Sequence, residues 1–216
     1  DYIDSAELNT VHLLERAPGI NVLSITGTQH YGLPMDTRAA PFNDNNVRQA
    51  LKYAINREQL VDTILNGYGT VGNDHPIGPG QRFYNTELEQ KEFDPDRVAF
   101  YLREAGLDSL EVDIHLADAA FAGAVDAGIL YSESAAAAGV TINVTREPND
   151  GYWSNVWMQK PFTGTYWGGR PTEDWMFATA YAEGVPWNES YWSNERFNEL
   201  LVAARSELDE DIRREM

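Results

Sequence analysis

Alternation and helical spacing divide the chain into segments before any residue is given a role. Leu110, Val112, Ile114 and Leu116 alternate with polar residues, and Val140, Ile142 and Val144 do the same. A period of two puts successive side chains on opposite faces, so both stretches read as half-buried strands. Between them an alanine-rich run from Phe121 to Ala138, closed by Gly139, predicts a helix. Strand, helix, strand at this spacing is a βαβ unit, which predicts parallel strands and a right-handed crossover. "INVLSIT", residues 20–26, also alternates and predicts a strand with two partly apolar faces. "PFTGTYWGG", residues 161–169, predicts another.

Helical spacing is clearest in the middle of the chain. Asn43 or Asp44 can cap "NVRQALKYAI", in which Val47, Leu51 and Ala54 or Ile55 line one face. Asn56 with Gln59 forms a capping-box pattern that opens "REQLVDTILNG", and Gly67 stands where a left-handed C-terminal cap belongs. Asp94 and Pro95 supply an N-cap and a proline at the first helical position of a helix ending at Gly106. Ser5 is the candidate cap of a first helix carrying Leu8, Val11, Leu14 and Ala17. "DGYWSNVWMQ" predicts a short aromatic helix, and Ser193 or Asn194 caps a last one. The segment "GNDHPIGPGQRFYN" is too rich in glycine and proline to be an element. These elements together predict an α/β fold with a mixed sheet.

Charge narrows the partners. Sixteen basic against 34 acidic residues leave a net charge of −18, which repels nucleic acid and anionic membrane alike. No apolar run reaches the roughly 20 residues of a membrane span, so direct membrane insertion is not expected of this stretch. The absence of cysteine removes disulfides, thiolate metal sites and cysteine nucleophiles, and fits an extracytoplasmic location. Both ends read as the edges of a longer chain.

Motifs are judged by their context. "GYGTVG", residues 67–72, matches the spacing of a dinucleotide loop but follows a helix and precedes a proline-rich loop, the reverse of what that site requires. His12, His30, His75 and His115 show no ligand spacing, and no nucleophile elbow is present. Glu173 with Asp174, and the run Asp209, Glu210, Asp211, read as solvated surface or helix caps before they read as an acid–base pair. No cofactor and no metal is therefore expected.

The tryptophans are unusual in their placement. Trp153, Trp157, Trp167, Trp175 and Trp187 cluster, with Trp192 just beyond, and Trp153 and Trp157 share one helical face. The stretch "YWGGRPTEDW", residues 166–175, adds two glycines and an arginine. One reading is a tight turn capped by a packed tryptophan. The other is a strand end where glycines let a ligand approach the backbone beside an aromatic wall and a fixed cation.

"APFNDNNVRQALKYAINREQLVDTILNGYG" resembles the helical signature of the extracytoplasmic solute-binding proteins of ABC importers that handle oligopeptides, dipeptides and nickel complexes, family 5. "HPIGPG" is similar to a proline-rich loop of that family, "FDPDRVAFYLREAGL" to its next helix, and "YWGGRPTEDW" falls where it has a tryptophan-bearing strand end lining the ligand cleft. The resemblance runs from His30 to the last residue. It implies a two-lobed clamshell, with residues 1–29 as the end of the first lobe and the crossing segment, and 30–216 as most of the second, a periplasmic-binding-protein-like lobe. It implies a monomeric periplasmic binder, not an enzyme, that captures an oligopeptide or peptide-like solute and hands it to ABC permease subunits. The implied ligand residues are Trp167, Gly168, Gly169 and Arg170, with Tyr31 and Trp153 as further candidates. One departure stands out. The simplest alignment places Arg170 where oligopeptide binders carry an acid, with Glu173 and Asp174 a few positions later. A guanidinium suits a carboxylate or phosphate, so a non-peptide anionic solute (an opine, sugar or metal chelate) is the first alternative. A carboxylate-dependent hydrolase and a sensory or scaffold protein are the others.

Overall fold

The computed structural model describes residue 3 and residues 6–216. In chain order the elements are α1 (Val11–Glu15), β1 (His30–Gly32), α2 (Asn45–Tyr53), α3 (Arg57–Ile64), α4 (Pro95–Glu104), β2 (Leu110–Leu116), α5 (Ala124–Ala137), β3 (Val140–Arg146), α6 (Tyr152–Asn155), β4 (Thr165–Trp167), α7 (Glu173–Ala180), α8 (Glu195–Ser206) and α9 (Glu210–Glu215).

The alternating pattern decides the central frame. β2 and β3 pair in parallel from Leu110↔Val140 to Leu116↔Arg146, with α5 as the crossover. Val112, Ile114, Leu116, Val140 and Ile142 turn inward and meet Val47 and Leu51 of α2, Val98 and Leu102 of α4, and Phe42, Tyr131 and Phe162. Each such apolar side chain removed from water stabilises the fold by about 1.5–3 kcal/mol. α5 lies close against the sheet because of Gly128: a Cβ there would sit 2.3 Å from Leu116 Cδ1. Buried polar groups on α5 are satisfied. Tyr131 Oη donates to Leu51 O at 2.7 Å and Ser134 Oγ to Ala54 O at 2.8 Å, which pins α5 to the end of α2.

A ribbon extends this sheet. The stretch 162–167 runs beside β2, where His115 N–H donates to Phe162 O at 3.0 Å and His115 bridges Thr163 in parallel. On its other side it meets 30–35, through the Met35↔Phe162 bridge and the antiparallel β1–β4 ladder. The order is thus β3, β2, the stretch ending in β4, and the stretch beginning with β1. The sheet is mixed, as the sequence pattern predicts.

Caps hold where they are expected. Asp44 accepts from Asn46 N, Asn56 from Gln59 N and Asp94 from Arg97 N; Asn194, not Ser193, caps α8. α5 begins at Ala124, after Gly123 in the left-handed region.

Three expectations fail. Residues 20–26 form no strand, and Leu23 and Ile25 are 74% and 82% exposed. Alternation prepares two faces, but a strand also needs a neighbour to accept its hydrogen bonds, and none lies alongside among the described residues. The first helix shrinks to α1, where Thr10 occupies the cap position without a side-chain bond; Ser5 lies outside the described residues. α7 was not predicted at all, although Thr172 caps it by accepting from Trp175 N and Glu173 and Asp174 occupy its first turn.

Candidate functional site

The β1–β4 ribbon carries the predicted site residues on two opposite faces. Tyr31 and Tyr166 are register partners, so they share one face, 40% and 46% exposed. Tyr31 stacks on Phe121, with ring centroids 4.4 Å apart and planes within 10°. Tyr166 meets Trp153 edge-on at 5.7 Å, and Trp153 meets Trp157 at 5.6 Å. The result is a continuous exposed aromatic wall. α6, which supplies Trp153, is anchored by Tyr152: its hydroxyl donates to Gly164 O at 2.8 Å and accepts from Gly164 N at 3.0 Å. Burial pushes that phenol up to about 12, so it stays protonated and keeps both bonds.

His30 and Trp167 point the other way. The expectation that the Trp167 ring walls the pocket is corrected here. It is 6% exposed and packs with Ile77, Met176 and Ala180. Strand alternation allows only one of Tyr166 and Trp167 to face outward, and it is Tyr166. The Trp167 indole N–H donates to Glu189 Oε1 at 2.9 Å, and the Trp157 indole N–H donates to the other carboxylate oxygen. Burial pushes the Glu189 carboxyl up, while the two indole donors and Thr165 pull it down; the net displacement is upward. Glu189 therefore ties a core tryptophan to one that contacts the exposed wall.

Gly168 follows β4, and beyond it Gly169 and Arg170 lie on a pocket of about 550 Å³ whose wall includes Thr28, Gln81, Arg82, Thr172 and Arg213. Gly169 is required: a Cβ there would fall 2.3 Å from Thr28 Oγ1. Thr28 Oγ1 donates to Arg170 O at 3.4 Å, which draws the segment before β1 against the turn. The guanidinium of Arg170 donates from Nη1 to Gly168 O at 2.8 Å and sits 5.9 Å from the Trp175 ring. Its Nε is buried without a partner. The structure thus sorts the six predicted residues into a wall with Tyr31 and Trp153, a pocket with Gly169 and Arg170, Gly168 outside that pocket's lining, and a buried Trp167.

The nearby acids are engaged elsewhere. Glu173 Oε1 accepts from Phe83 N at 2.9 Å and Asp174 pairs with Arg205 Nε at 2.6 Å, so they fasten the 80–84 loop and α8 to α7. Among the described residues no group of three or more His, Asp or Glu side chains is placed to hold a metal ion, and no helix is long and apolar enough to cross a membrane. Tyr166, Phe121, Thr28 and Glu189 were missed by sequence reasoning. Only Tyr166 left a signal, as the alternate neighbour of Trp167.

The fold is that of solute-binding proteins. It superposes on HbpA2 from Haemophilus parasuis with a TM-score of 0.85 at 23% identity, covering 98% of this chain and 43% of that one. It superposes on the periplasmic binding protein DppA of Helicobacter pylori, solved with the peptide STSA, with a TM-score of 0.82 at 21% identity over 96% of this chain and 41% of that one. Heme-binding protein A of Haemophilus influenzae is 34% identical over 106 residues, 48% of this chain and 18% of the relative. The dipeptide-binding protein of Escherichia coli is 30% identical over 95 residues, 44% of this chain and 18% of the relative. Residues 1–189 match the bacterial extracellular solute-binding proteins, family 5 Middle, and the chain belongs to that family. It spans less than half the length of the solved proteins it matches.

Proposed function

We propose that this chain is most of one lobe of the solute-binding component of an ABC importer, acting outside the cytoplasmic membrane as a monomer. Residues 1–29 belong to the first lobe and residues 30–216 to the second. The protein captures a peptide or peptide-like solute that carries an anionic group and delivers it to the permease. It binds and does not catalyse. Relatives named for dipeptides, glutathione, heme and nickel, and a neighbour solved with agropinic acid, support capture of a small solute.

The observation that carries the reading is Arg170. Its guanidinium lines a pocket at the end of the β1–β4 ribbon, with Nε desolvated and no acidic partner among the described residues. A guanidinium without an acidic partner can hold a carboxylate of the solute through charge-assisted hydrogen bonds. The exposed aromatic wall supplies apolar area beside the ribbon. Closure of the other lobe would then exclude water from both, a hinge transition driven by contacts with each lobe. The guanidinium also favours a second reading, a non-peptide anionic solute such as an opine, at the same position.

Native mass spectrometry and a thermal-shift screen of the intact two-lobe protein test the proposal. A solute with a carboxylate or other anion is expected to co-purify or to raise the melting temperature, and Arg170→Ala is expected to weaken it about 10- to 100-fold. Unchanged affinity in Arg170→Ala would remove Arg170 from the binding site. Turnover of any captured solute would replace the binder with an enzyme.

A further inference from the structure

The pocket beside Arg170 carries a second guanidinium, that of Arg213. Building on the reading above, we infer that it is a subsite for a doubly charged oxyanion, a phosphate monoester on the solute, held between Arg170 and Arg213. Arg170 enters from the turn between β4 and α7, Arg213 from α9, and Arg82 lies on the same wall. Among the described residues neither Arg170 nor Arg213 has an acid within ion-pair distance. Arg82 differs, being paired with Glu210. The acid on the pocket wall, Glu173, already accepts the Phe83 N–H.

Positive charge gathers on one side of the pocket. The guanidinium carbons of Arg82, Arg213 and Arg214 lie 5.7, 5.3 and 5.3 Å from the centre of the single Phe83 ring. Three cations around one ring make this side of the pocket locally positive, with Arg82 and Arg214 exposed and Arg213 half-buried. In a chain with 34 acids and 16 bases, two guanidiniums on one pocket with no acid in ion-pair distance run against the average surface.

Donor count selects the class of anion. One bidentate guanidinium saturates a carboxylate. Here the wall carries Arg170 and Arg213, two guanidiniums with no acid in ion-pair distance, and Thr172, whose hydroxyl keeps its proton while its oxygen caps Trp175 N at 3.3 Å. Two unpaired guanidiniums and a hydroxyl on one wall suit the charge and terminal oxygens of a phosphate monoester, whose charge approaches −2 above its second pKa of about 6.

The test uses the intact two-lobe protein and titration calorimetry with O-phospho-L-serine, L-serine and inorganic phosphate. Phosphoserine and phosphate are expected to bind and serine to bind at least tenfold more weakly, with Arg170→Ala and Arg213→Ala each losing at least tenfold. Arg214→Ala, adjacent on α9 but off the pocket wall, is expected to stay within about threefold. Wild-type phosphoserine affinity should also rise as pH passes about 6, a readout that needs no variant. Binding of phosphoserine over inorganic phosphate identifies a phosphorylated solute; the reverse identifies the free ion, and both support the subsite. Affinity that is flat with pH, or unchanged in Arg213→Ala, overturns the subsite. If dipeptides then still bind with Arg170 required, the importer reading survives that failure. If no peptide, phosphate or acid binds at all, both fall together.

Discussion

The two faces of the β1–β4 ribbon are made by the same six residues and have opposite fates. Tyr31 and Tyr166 stand exposed among Phe121 and Trp153, whereas His30 and Trp167 are directed into a packed layer that ends on a buried carboxylate. Residue type does not separate them, since an aromatic sits on each face. What separates them is which face the rest of the chain covers. Ile77, Met176 and Ala180 close over Trp167, while the Tyr31 and Tyr166 face remains open to solvent and to a ligand.

The comparison can be broken hardest at Glu189. Glu189→Leu leaves two indole N–H groups unpaired in the buried layer, which should cost about 3 kcal/mol and lower the melting temperature of the intact protein by a few degrees. Loss of the Trp157 bond should also alter tryptophan fluorescence. A variant as stable as wild type would show that Glu189 does not hold the buried face together. Gly169→Ala is next. Its Cβ meets Thr28 Oγ1, so the hydroxyl must turn away from Arg170 O, at about 1–2 kcal/mol; thermal unfolding reads the change.

On the open face, Tyr166→Ala should change stability by less than about 1 kcal/mol yet weaken solute binding about five- to tenfold if the wall contacts ligand. An equal loss of stability and binding would mean the wall only packs. The smallest effect is titration of Glu189. Its folded pKa lies above the unfolded one because burial disfavours the charged form. The protonated carboxyl therefore stabilises the fold at low pH, and that contribution is lost as pH rises through the raised value. Wild type should exceed Glu189→Gln in stability by more at about pH 5 than at about pH 8, which parallel thermal melts can check.

Much of the frame was legible because its signals are local. Asp44, Asn56 and Asp94 announce their helices through caps that act within three residues, and the alternation of Leu110 to Leu116 already implies a buried face. The candidate site was legible only as a segment. Gly169 and Arg170 lie on a pocket wall, but the chain around Trp167 could not say which aromatic faced out. Glu189 gave no signal, because a glutamate in an acidic chain reads as surface until two indoles are found on it. Residues 20–26 show the opposite error, a good strand pattern without a neighbour.

By itself the amino-acid order determined the capped helices α2 to α4, the parallel βαβ unit and the family, since caps, periodicity and motif spacing are short-range properties written along the chain. Only the tertiary structure decided that Tyr166 faces outward and Trp167 inward, that Glu189 joins Trp157 to Trp167, and that Thr28, Arg170 and Arg213 meet at one pocket. Those outcomes depend on which distant segments come to cover each face, and burial and pairing are properties of neighbours in space.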